Sequence, residues 1–390
     1  MPIQRGGASD FTANVRAGAE TNAAVSAASA SAAGAPAPKK SSSGGGRMVS
    51  AGAGAVVTQS ATAKSSGLQP IFARATASVV VSTKKSIDPF SIGIIRGGSK
   101  IIHSDDGVTW QTKTNNISSI ISTTLYAIAW NGSMWMIVGD GNFTIATSPD
   151  GLTWTGRPQT YITNGFGVCW TGSKWFVFGD STTNTVISSA DGITWEPNGI
   201  TINPYGTLGA IATNKTRIVA VCNGALASST NGTSWTAVTL GVNSAYYKSV
   251  ATNGTKWFAT GDAKTITSTD GIAWTRVSGG SFVDLSNTNG VDWVNGLWIV
   301  SGYNGTLTMQ ISADNGLTWR SATVANAGGV LSGTSVAWNG KKYLLIGTGG
   351  GSVSTYAYST DAMNWTGSLP FANGIAPSDV ASKNILYDLF

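Results

Sequence analysis

The sequence predicts an all-β fold, namely a seven-bladed β-propeller of four-stranded blades that follows a long, low-complexity N-terminal arm. Only 11% of the 390 residues are charged, while 50 are glycine and 15 are tryptophan. This composition does not fit a helical bundle or a coiled coil. A short motif that ends in tryptophan recurs seven times after residue 90, at intervals of 39 to 46 residues. All 15 tryptophans belong to this motif or to a second one between its copies.

Residues 1–85, which we call the arm, consist largely of Ala, Ser and Gly. Such a stretch cannot bury enough surface to offset about 1–2 kcal/mol of backbone entropy per residue, so we expect it to be disordered alone or ordered on a partner. Residues 1–90 hold nine basic and three acidic residues, which accounts for the whole net charge of +6. No aromatic residue lies between Phe11 and Phe72, which argues against stacking on nucleic acid bases. We expect residues 86–390 to form the propeller.

The first repeated element is the sequence Ser-x-Asp-Gly-x-Thr-Trp, which we call the Ser-Asp motif. The fourth copy has Asn for Asp, the sixth is one residue longer, and the seventh has Ala362 in place of glycine. A period of about 40–45 residues with several short strands in each unit is typical of propeller blades. The third residues of the motif are Asp106, Asp150, Asp191, Asn231, Asp270, Asp314 and Asp361. The closing tryptophans are Trp110, Trp154, Trp195, Trp235, Trp274, Trp319 and Trp365.

These motif residues suit a tight turn between two strands. Glycine permits a positive φ, and the Ser and Asp side chains accept backbone N–H groups. A buried tryptophan covers about 150–250 Å², so each closing tryptophan is expected to pack against its sheet. We therefore predict a structural role for the seven Asp/Asn residues and the seven tryptophans.

The second repeated element places the other strands of each blade. Its first copy runs from Ala127 to Gly132 and is followed by Trp135. We expect the Ala-Trp segment to be the innermost strand, A, and Asn-Gly to be a type I′ turn into strand B. Strand C then ends in the Ser-Asp motif, and strand D carries its Thr-Trp.

Closure of the ring requires one strand from the C-terminus. Before the first Ser-Asp motif, only Pro89–Ile95 and Lys100–His103 fit strands, as B and C. Ser378–Lys383 fits an A strand. We expect this C-terminal segment to complete the first blade.

The Ser-Asp motif resembles the Asp-box, or BNR repeat, of sialidases and many non-enzymatic propellers, and the resemblance covers about residues 90–390. Its combination with Ala-Trp-Asn-Gly-x-x-Trp is similar to propellers encoded by large DNA viruses and environmental bacteria. The resemblance implies that the motifs are staples on the outer blade turns. The sialidase arginine triad and Arg-Ile-Pro signature are not matched in this sequence.

The propeller segment offers little for catalysis. Glu196 is its only glutamate, which excludes a Glu–Glu glycosidase pair there, although Asp pairs stay open. Cys169 and Cys222 fall on predicted inner strands without a histidine partner, and His103 is the only histidine. We therefore expect no catalytic residue, no metal ligand and no cofactor.

A ligand site on the propeller is a weaker alternative. Asp140, Asp180 and Asp262 each follow a Gly at the B–C turn, on the face opposite the Ser-Asp motifs. Three carboxylates around a channel could bind a polar ligand, but Asp is also an ordinary turn residue. The D–A loops on that face supply aromatic candidates for sugar stacking or a protein partner, namely Tyr161, Tyr205, Tyr246 and Tyr247. Packing of these side chains between blades is an equally open alternative.

These observations predict a non-enzymatic structural or attachment protein of a large assembly such as a virion, as a capsid or surface component. Its partners would be other subunits, bound through residues 1–85. The alternatives are a carbohydrate-binding, lectin-like propeller (an adhesin) and, with less support, a glycoside hydrolase. No apolar run has the roughly 18 residues of a membrane span, and the N-terminus does not read as a secretory signal.

Overall fold

The computed structural model describes two short strands of the arm and most of the propeller. The described residues are 58–61, 75–78, 88 and 90–383, except for 96–98, 114, 182–184, 199–208, 223–224, 239–246, 263, 286, 305–306, 326–331, 349–353 and 368–376. The chain divides into two units, Met1–Ser86 and Ile87–Phe390. In the first, Thr58–Ala61 pairs antiparallel with Ala75–Ser78. The expectation about order in the arm otherwise falls outside the described residues.

The second unit is a ring of seven blades, numbered by their Ser-Asp motifs. The innermost strands, A, contact one another around a closed ring, so that the A strand of each blade touches those of both neighbours. From blade 1 to blade 7 the A strands are Pro377–Ser382, Thr124–Trp130, Asn164–Trp170, Ala210–Thr213, Tyr247–Thr252, Asn287–Val294 and Ser332–Trp338. The B strands are Ser91–Ile95, Trp135–Asp140, Trp175–Asp180, Ile218–Cys222, Trp257–Gly261, Leu297–Asn304 and Tyr343–Thr348.

Each blade continues outward as an antiparallel meander. The C strands are Lys100–Ser104, Ile145–Ser148, Val186–Ser189, Ala225–Ser229, Lys264–Ser268, Leu307–Ser312 and Ser354–Ser359. The D strands of blades 2–7 are Thr155–Gly156, Glu196–Pro197, Thr236–Val238, Thr275–Arg276, Arg320–Ala325 and Asn364–Gly367. In blade 1, strand D is reduced to one antiparallel bridge between His103 and Gln111. The predicted all-β propeller of four-stranded blades is confirmed.

Ring closure follows the prediction. Pro377–Ser382 pairs antiparallel with Ser91–Ile95 and becomes the A strand of blade 1. Just beyond it, the Lys383 N–H donates to the Phe90 carbonyl at 3.2 Å, and the Lys383 ammonium lies 3.0 Å from the Asp88 carboxylate. The two ends of the propeller therefore meet in a single blade.

Two details differ from the sequence-based expectations. In blades 2–6 the closing tryptophan precedes strand D instead of lying within it. Among the described A–B turns, only Asn295–Gly296 has positive φ at both residues. In other turns the asparagine side chain caps the loop: Asn131 Oδ1 accepts the N–H groups of Ser133 at 2.9 Å and Met134 at 2.7 Å. The amide side chain thus replaces the type I′ backbone.

Apolar side chains fill the spaces between adjacent blades. The B strands are buried on both faces because a neighbouring blade covers each side; Trp135, Met136, Ile137 and Val138 are all fully buried. One short helix, Ile117–Ile120, lies in the connection from blade 1 to blade 2. Beside it, Asn116 donates to the Trp154 carbonyl and accepts from the Trp154 N–H, both at 2.8 Å. These two hydrogen bonds hold the connection against blade 2.

Candidate functional site

The Ser-Asp motif forms a compact hydrogen-bonded turn between strands C and D. In blade 3, the Ser189 hydroxyl donates to Asp191 Oδ1 at 2.9 Å and accepts the Gly192 N–H at 2.7 Å. Asp191 Oδ1 also accepts the N–H groups of Ile193 and Thr194, at 2.7 and 2.8 Å. All seven motifs place the Asp or Asn oxygen on the N–H groups of the same two following positions.

These N–H donors stabilise the ionised carboxylates. The N–H groups of Thr194 and Ile193 lower the pKa of Asp191 to about 2. For Asp106 and Asp150, burial acts to raise the pKa, but the N–H and Ser hydroxyl donors outweigh it and the pKa falls. The pKa of Asp270 is lowered chiefly by the Ile272 N–H, that of Asp314 by the Thr318 hydroxyl and N–H, and that of Asp361 by the N–H and side-chain amide of Asn364. Carboxylates held in this way serve the turn and are poor candidates for acid–base catalysis.

Glycine is favoured at its motif position for two reasons. The six glycines adopt φ values between 72° and 83°, the left-handed region. A Cβ at any of them would lie 2.2 to 2.7 Å from a side chain of the preceding blade; for Gly232 that side chain is Phe176. Blade 7 has Ala362 instead, at φ 63° and fully buried in the cluster that contains Ile299 of blade 6. The turns therefore also form the contact between blades.

The closing tryptophans pack as the sequence indicates. Five are buried and two, Trp110 and Trp235, are half-buried. The indole N–H of Trp154 donates to the Gly151 carbonyl at 3.2 Å, and that of Trp235 donates to the Gly232 carbonyl at 2.9 Å. The tryptophan thus closes the turn from which it emerges.

The three aspartates proposed for a polar ligand lie at the ends of B strands, opposite the Ser-Asp motifs. Asp180 accepts hydrogen bonds from the Thr163 hydroxyl at 2.5 Å and from the backbone and side-chain N–H groups of Asn164 at 2.8 and 2.9 Å. Asp262 forms an ion pair with Lys248 at 2.8 Å. Asp140 occupies the same place in blade 2, where its carbonyl accepts the Thr123 N–H. Two of the three carboxylates therefore have partners within the propeller.

The aromatic candidates are not brought together as a described surface. Tyr247 is fully buried between blades 4 and 5, where burial raises its pKa, so it packs in the core instead of facing a ligand. Tyr161 is partly buried against the cluster between blades 2 and 3. Tyr205 and Tyr246 lie outside the described residues.

Two carboxylates that sequence analysis did not single out lie on inner strands. Asp292 of blade 6 accepts the Val336 N–H of blade 7 at 2.9 Å. Asp379 of blade 1 accepts the Ser335 hydroxyl of blade 7 at 2.7 Å and the Ile128 N–H of blade 2 at 3.0 Å. Burial raises the pKa of Asp379 to about 6; burial and the nearby Asp379 charge raise that of Asp292 to about 8. Together these bonds connect four consecutive blades, 6, 7, 1 and 2.

A sequence signal for Asp292 existed. In the aligned A strands, the position of Asp292 is taken by Ala or Cys in the other six blades, namely Ala129, Cys169, Ala212, Ala251, Ala337 and Ala381. A charged side chain where the repeat has a small one marks a specific role for that blade. Perturbed pKa values occur both at functional sites and in structural networks, and here every described hydrogen bond of the pair joins or supports inner strands.

Of the remaining reactive side chains, Cys169 is half-buried and His103 is buried. Burial raises the pKa of the free thiol of Cys169 to about 12, so it is a poor nucleophile. The side chain of Cys222 lies outside the described residues. His103 is buried, with Nε2 2.8 Å from the Gly151 carbonyl of blade 2. Burial lowers its pKa, although the Gly151 carbonyl acts in the opposite direction. His103 thus connects blades 1 and 2.

Within the described residues, no group of three or more His, Cys, Asp or Glu side chains is placed to hold a metal ion. No helix in the described part of the chain is both long enough and apolar enough to cross a membrane.

Comparison with known proteins gives the fold and nothing finer. No family model and no curated protein matches the sequence. Solved structures do match. The fold is a β-propeller. A nidogen/laminin complex matches at 9% identity and TM-score 0.45, over 75% of this chain and 97% of the other. YCF48 bound to a D1 peptide matches at 16% identity and TM-score 0.47, and the match covers 66% of this chain and 91% of that one. A GH74 enzyme of Niastella koreensis matches at 20% identity and TM-score 0.50, and the match covers 73% of this chain and 44% of that one.

Proposed function

We propose that this protein is a non-enzymatic component of a large assembly, attached to neighbouring subunits by its basic arm, with the propeller as a rigid body. The observation that carries the proposal is the uneven charge of the chain. Residues 1–90 hold the whole net charge of +6, whereas the rest of the chain has equal numbers of basic and acidic residues. A basic segment poor in large apolar residues gains little from folding on itself and is suited to ordering against an acidic partner.

The propeller supports this proposal through the structural use of its reactive groups. The six motif carboxylates hold turns, Asp292 and Asp379 join blades, His103 is buried, and the half-buried Cys169 thiol has a raised pKa. A general acid or nucleophile has to exchange protons or electrons with a substrate, whereas the exposed motif carboxylates accept backbone N–H groups of their own turns and His103 is buried. A rigid ring whose carboxylates and histidine serve turns and blade contacts is suited to display or to wedging between subunits.

As the specific assembly we propose a virion, in which the protein is a capsid or surface component. The support is the resemblance of the combined tryptophan and Ser-Asp motifs to propellers encoded by large DNA viruses.

Glycan binding and glycoside hydrolysis have less support, because Tyr247 is buried and Asp180 and Asp262 already have partners.

Limited proteolysis tests the proposal. The isolated full-length protein and the same protein in its native source fraction are digested side by side, and the cleavage sites are mapped by mass spectrometry. We expect cleavage within residues 1–85 in the isolated protein and protection of the same sites in the native fraction. Equal cleavage in both samples would contradict the proposal and would favour a ligand-binding propeller, to be tested on a glycan array with residues 86–390.

A further inference from the structure

His103 joins the outer part of blade 1 to blade 2. Its Nε2 lies 2.8 Å from the Gly151 carbonyl in the Ser-Asp turn of blade 2. A carbonyl oxygen only accepts hydrogen bonds, so Nε2 carries the proton of the neutral ring and Nδ1 carries none. The Trp154 indole N–H donates to the same oxygen at 3.2 Å. Blade 1 is therefore attached to the carbonyl that also closes the turn of its neighbour.

The same residue holds the outer edge of blade 1 together. Strand D of this blade is reduced to the bridge between His103 and Gln111, whose two backbone hydrogen bonds are both 2.9 Å long. In blades 2–7, strand D has two to six residues. A displacement of His103 therefore weakens two contacts at once, the one with blade 2 and the single described bridge at the outer edge of blade 1.

The surroundings of the His103 ring do not accommodate a second proton. The residue is 1% exposed, and Nδ1 has no hydrogen-bond partner among the described residues. The Phe90 ring packs against it, with 5.6 Å between the ring centroids. The ammonium groups of Lys113 and Lys383 lie over Phe90 at 5.8 and 4.9 Å, and Lys383 is paired with Asp88 at 3.0 Å. Protonation of Nδ1 would bury a charged donor beside an aromatic ring without an acceptor, which is costly.

The charged groups around the ring do not offset this cost. Burial lowers the pKa of His103 below its ordinary value of 6.5, and Lys113 acts in the same direction. The Gly151 carbonyl, Asp105 and Asp150 act in the opposite direction without outweighing burial. Asp105 is paired with Lys113 at 3.5 Å, and Asp150 accepts two backbone N–H groups of its own turn. Both carboxylates are therefore already engaged elsewhere.

The link to the next blade is specific to blade 1. His103, the only histidine of the chain, immediately precedes the first serine of its Ser-Asp motif. At this position the other blades have Thr147, Ser188, Ser228, Thr267, Ile311 and Tyr358. The hydroxyl groups of the first four form hydrogen bonds within their own blades. A titrating side chain thus replaces a small hydroxyl at the one position where blade 1 contacts the turn of blade 2.

We infer that His103 makes the joint between blades 1 and 2 sensitive to acid: protonation of its ring separates the outer part of blade 1 from the Ser-Asp turn of blade 2. The open state binds the proton more readily than the closed state. The stability of the joint is therefore complete above about pH 6.5 and declines as the pH falls below that value. Because residues 1–87 enter the propeller through blade 1, acid loosens the blade to which the arm is attached. The inference does not depend on the proposed function, since it concerns the propeller alone.

A proton NMR titration tests the first step. With one histidine in the chain, the untagged full-length protein gives a single set of imidazole resonances, so their shift with pH reports His103 directly. We expect a midpoint below 6.5 in the folded protein and a midpoint near 6.5 in urea. A folded midpoint at or above 6.5 would overturn the inference, because the closed joint would then favour the charged ring.

Hydrogen exchange followed by mass spectrometry locates the opening. Exchange is compared at pH 7 and pH 5 after correction for the intrinsic effect of pH on the exchange rate. We expect Lys100–Ser104 of blade 1 and the turn 151–154 of blade 2 to lose protection at pH 5. The C strands of blades 4 and 5, Ala225–Ser229 and Lys264–Ser268, should keep theirs. Unchanged protection, or an equal loss in all blades, would contradict a local joint.

Variants of His103 complete the test. The amide of His103→Gln can donate to the Gly151 carbonyl from about the position of Nε2 and does not titrate, so its Tm should fall less than that of wild type between pH 7 and pH 5. Asp379, whose pKa is raised to about 6, titrates in both proteins, so the difference isolates His103. His103→Ala removes the donor and should lower Tm at both pH values. Equal losses of Tm for His103→Gln and wild type would overturn the inference; if His103→Gln does not fold, the wild-type titration and exchange data decide.

Discussion

At the scale of single residues, the motif aspartates make a measurable contribution to acid stability. The N–H donors lower the pKa of Asp191 to about 2, whereas an aspartate in an unfolded chain titrates near 3.9. The unfolded chain therefore binds the proton first, so the stability due to this carboxylate is present above about pH 4 and is lost as the pH falls to about 2.

The variant Asp191→Asn tests this account, because Asn231 forms the same turn in blade 4 without a titrating group. We expect a Tm close to wild type at pH 7 and a smaller loss of Tm between pH 5 and pH 2. Asp191→Ala, which removes the acceptor, should lower Tm at both pH values. Identical pH profiles for Asp191→Asn and wild type, measured by thermal melts, would contradict the account.

The motif glycines give a second prediction at this scale. Gly232→Ala combines a left-handed residue, at about 1–2 kcal/mol, with a Cβ 2.2 Å from Phe176, and overpacking costs typically about 1–3 kcal/mol. We expect a loss of about 2–5 kcal/mol in the free energy of unfolding. Gly132→Ala is the control, because no atom lies within 4 Å of its Cβ, so only the backbone cost of about 1–2 kcal/mol applies.

Ala362→Gly is the converse experiment in blade 7. It relieves the left-handed backbone and loses one buried methyl group, about 0.8 kcal/mol, so the two effects nearly cancel. We expect a change within about 1 kcal/mol by urea unfolding. A loss for Ala362→Gly as large as that for Gly232→Ala would show that shape, and not φ, determines the residue at this position.

At the scale of strands, the two inner carboxylates act in the opposite sense to the motif aspartates. Burial and the charge of Asp379 raise the pKa of Asp292 to about 8, so the folded chain holds this proton more tightly than the unfolded chain. The stability due to this group is therefore present in acid and declines as the pH rises from about 4 to about 8.

Asp292→Asn keeps an oxygen for the Val336 N–H and removes the titration. Its Tm should exceed that of wild type at pH 8, and the difference should shrink toward pH 4. Asp292→Ala leaves the Val336 N–H without this acceptor and should cost about 1–3 kcal/mol. A Tm difference between Asp292→Asn and wild type that is constant across this range would contradict the raised pKa.

Strands and turns differ in how far the sequence could predict them. The Ser-Asp turns were predictable because their hydrogen bonds join residues only two to four positions apart, as in Ser189 to Gly192. The bonds of Asp292 and Asp379 join residues 44 or more positions apart, except Asp379 with its neighbour Val380. Their partners become evident only when the blades are in register. For Tyr247 the sequence left ligand contact and blade packing both open for a related reason. It shows an aromatic residue near a loop, but the neighbouring blade decides whether that residue is covered.

At the scale of the whole molecule, stability depends on closing the ring. A propeller removes exposed sheet faces by packing each blade between two others, so an open ring exposes the apolar faces of two blades at once. Here closure uses the strand Pro377–Ser382, whose partners include Ser91–Ile95 in its own blade and, through Asp379, blades 7 and 2. The strand therefore contributes backbone pairing, apolar burial by Val380 and a polar connection between three blades.

Deleting residues 376–390 should abolish soluble folding, because it removes the A strand of blade 1 and exposes the edge of Ser91–Ile95. Expression of the truncated chain, followed by gel filtration and a thermal melt, measures this directly. A synthetic peptide of residues 376–390 added during refolding should restore part of the soluble protein, since it can supply the missing strand. A truncated chain that is monomeric and melts cooperatively at the wild-type temperature would mean that the ring is closed without this strand. If the truncated chain fails to fold and the peptide rescues it, ring closure depends on this strand. A peptide with Asp379→Ala would then measure how much of the closure depends on the hydrogen bonds to blades 7 and 2.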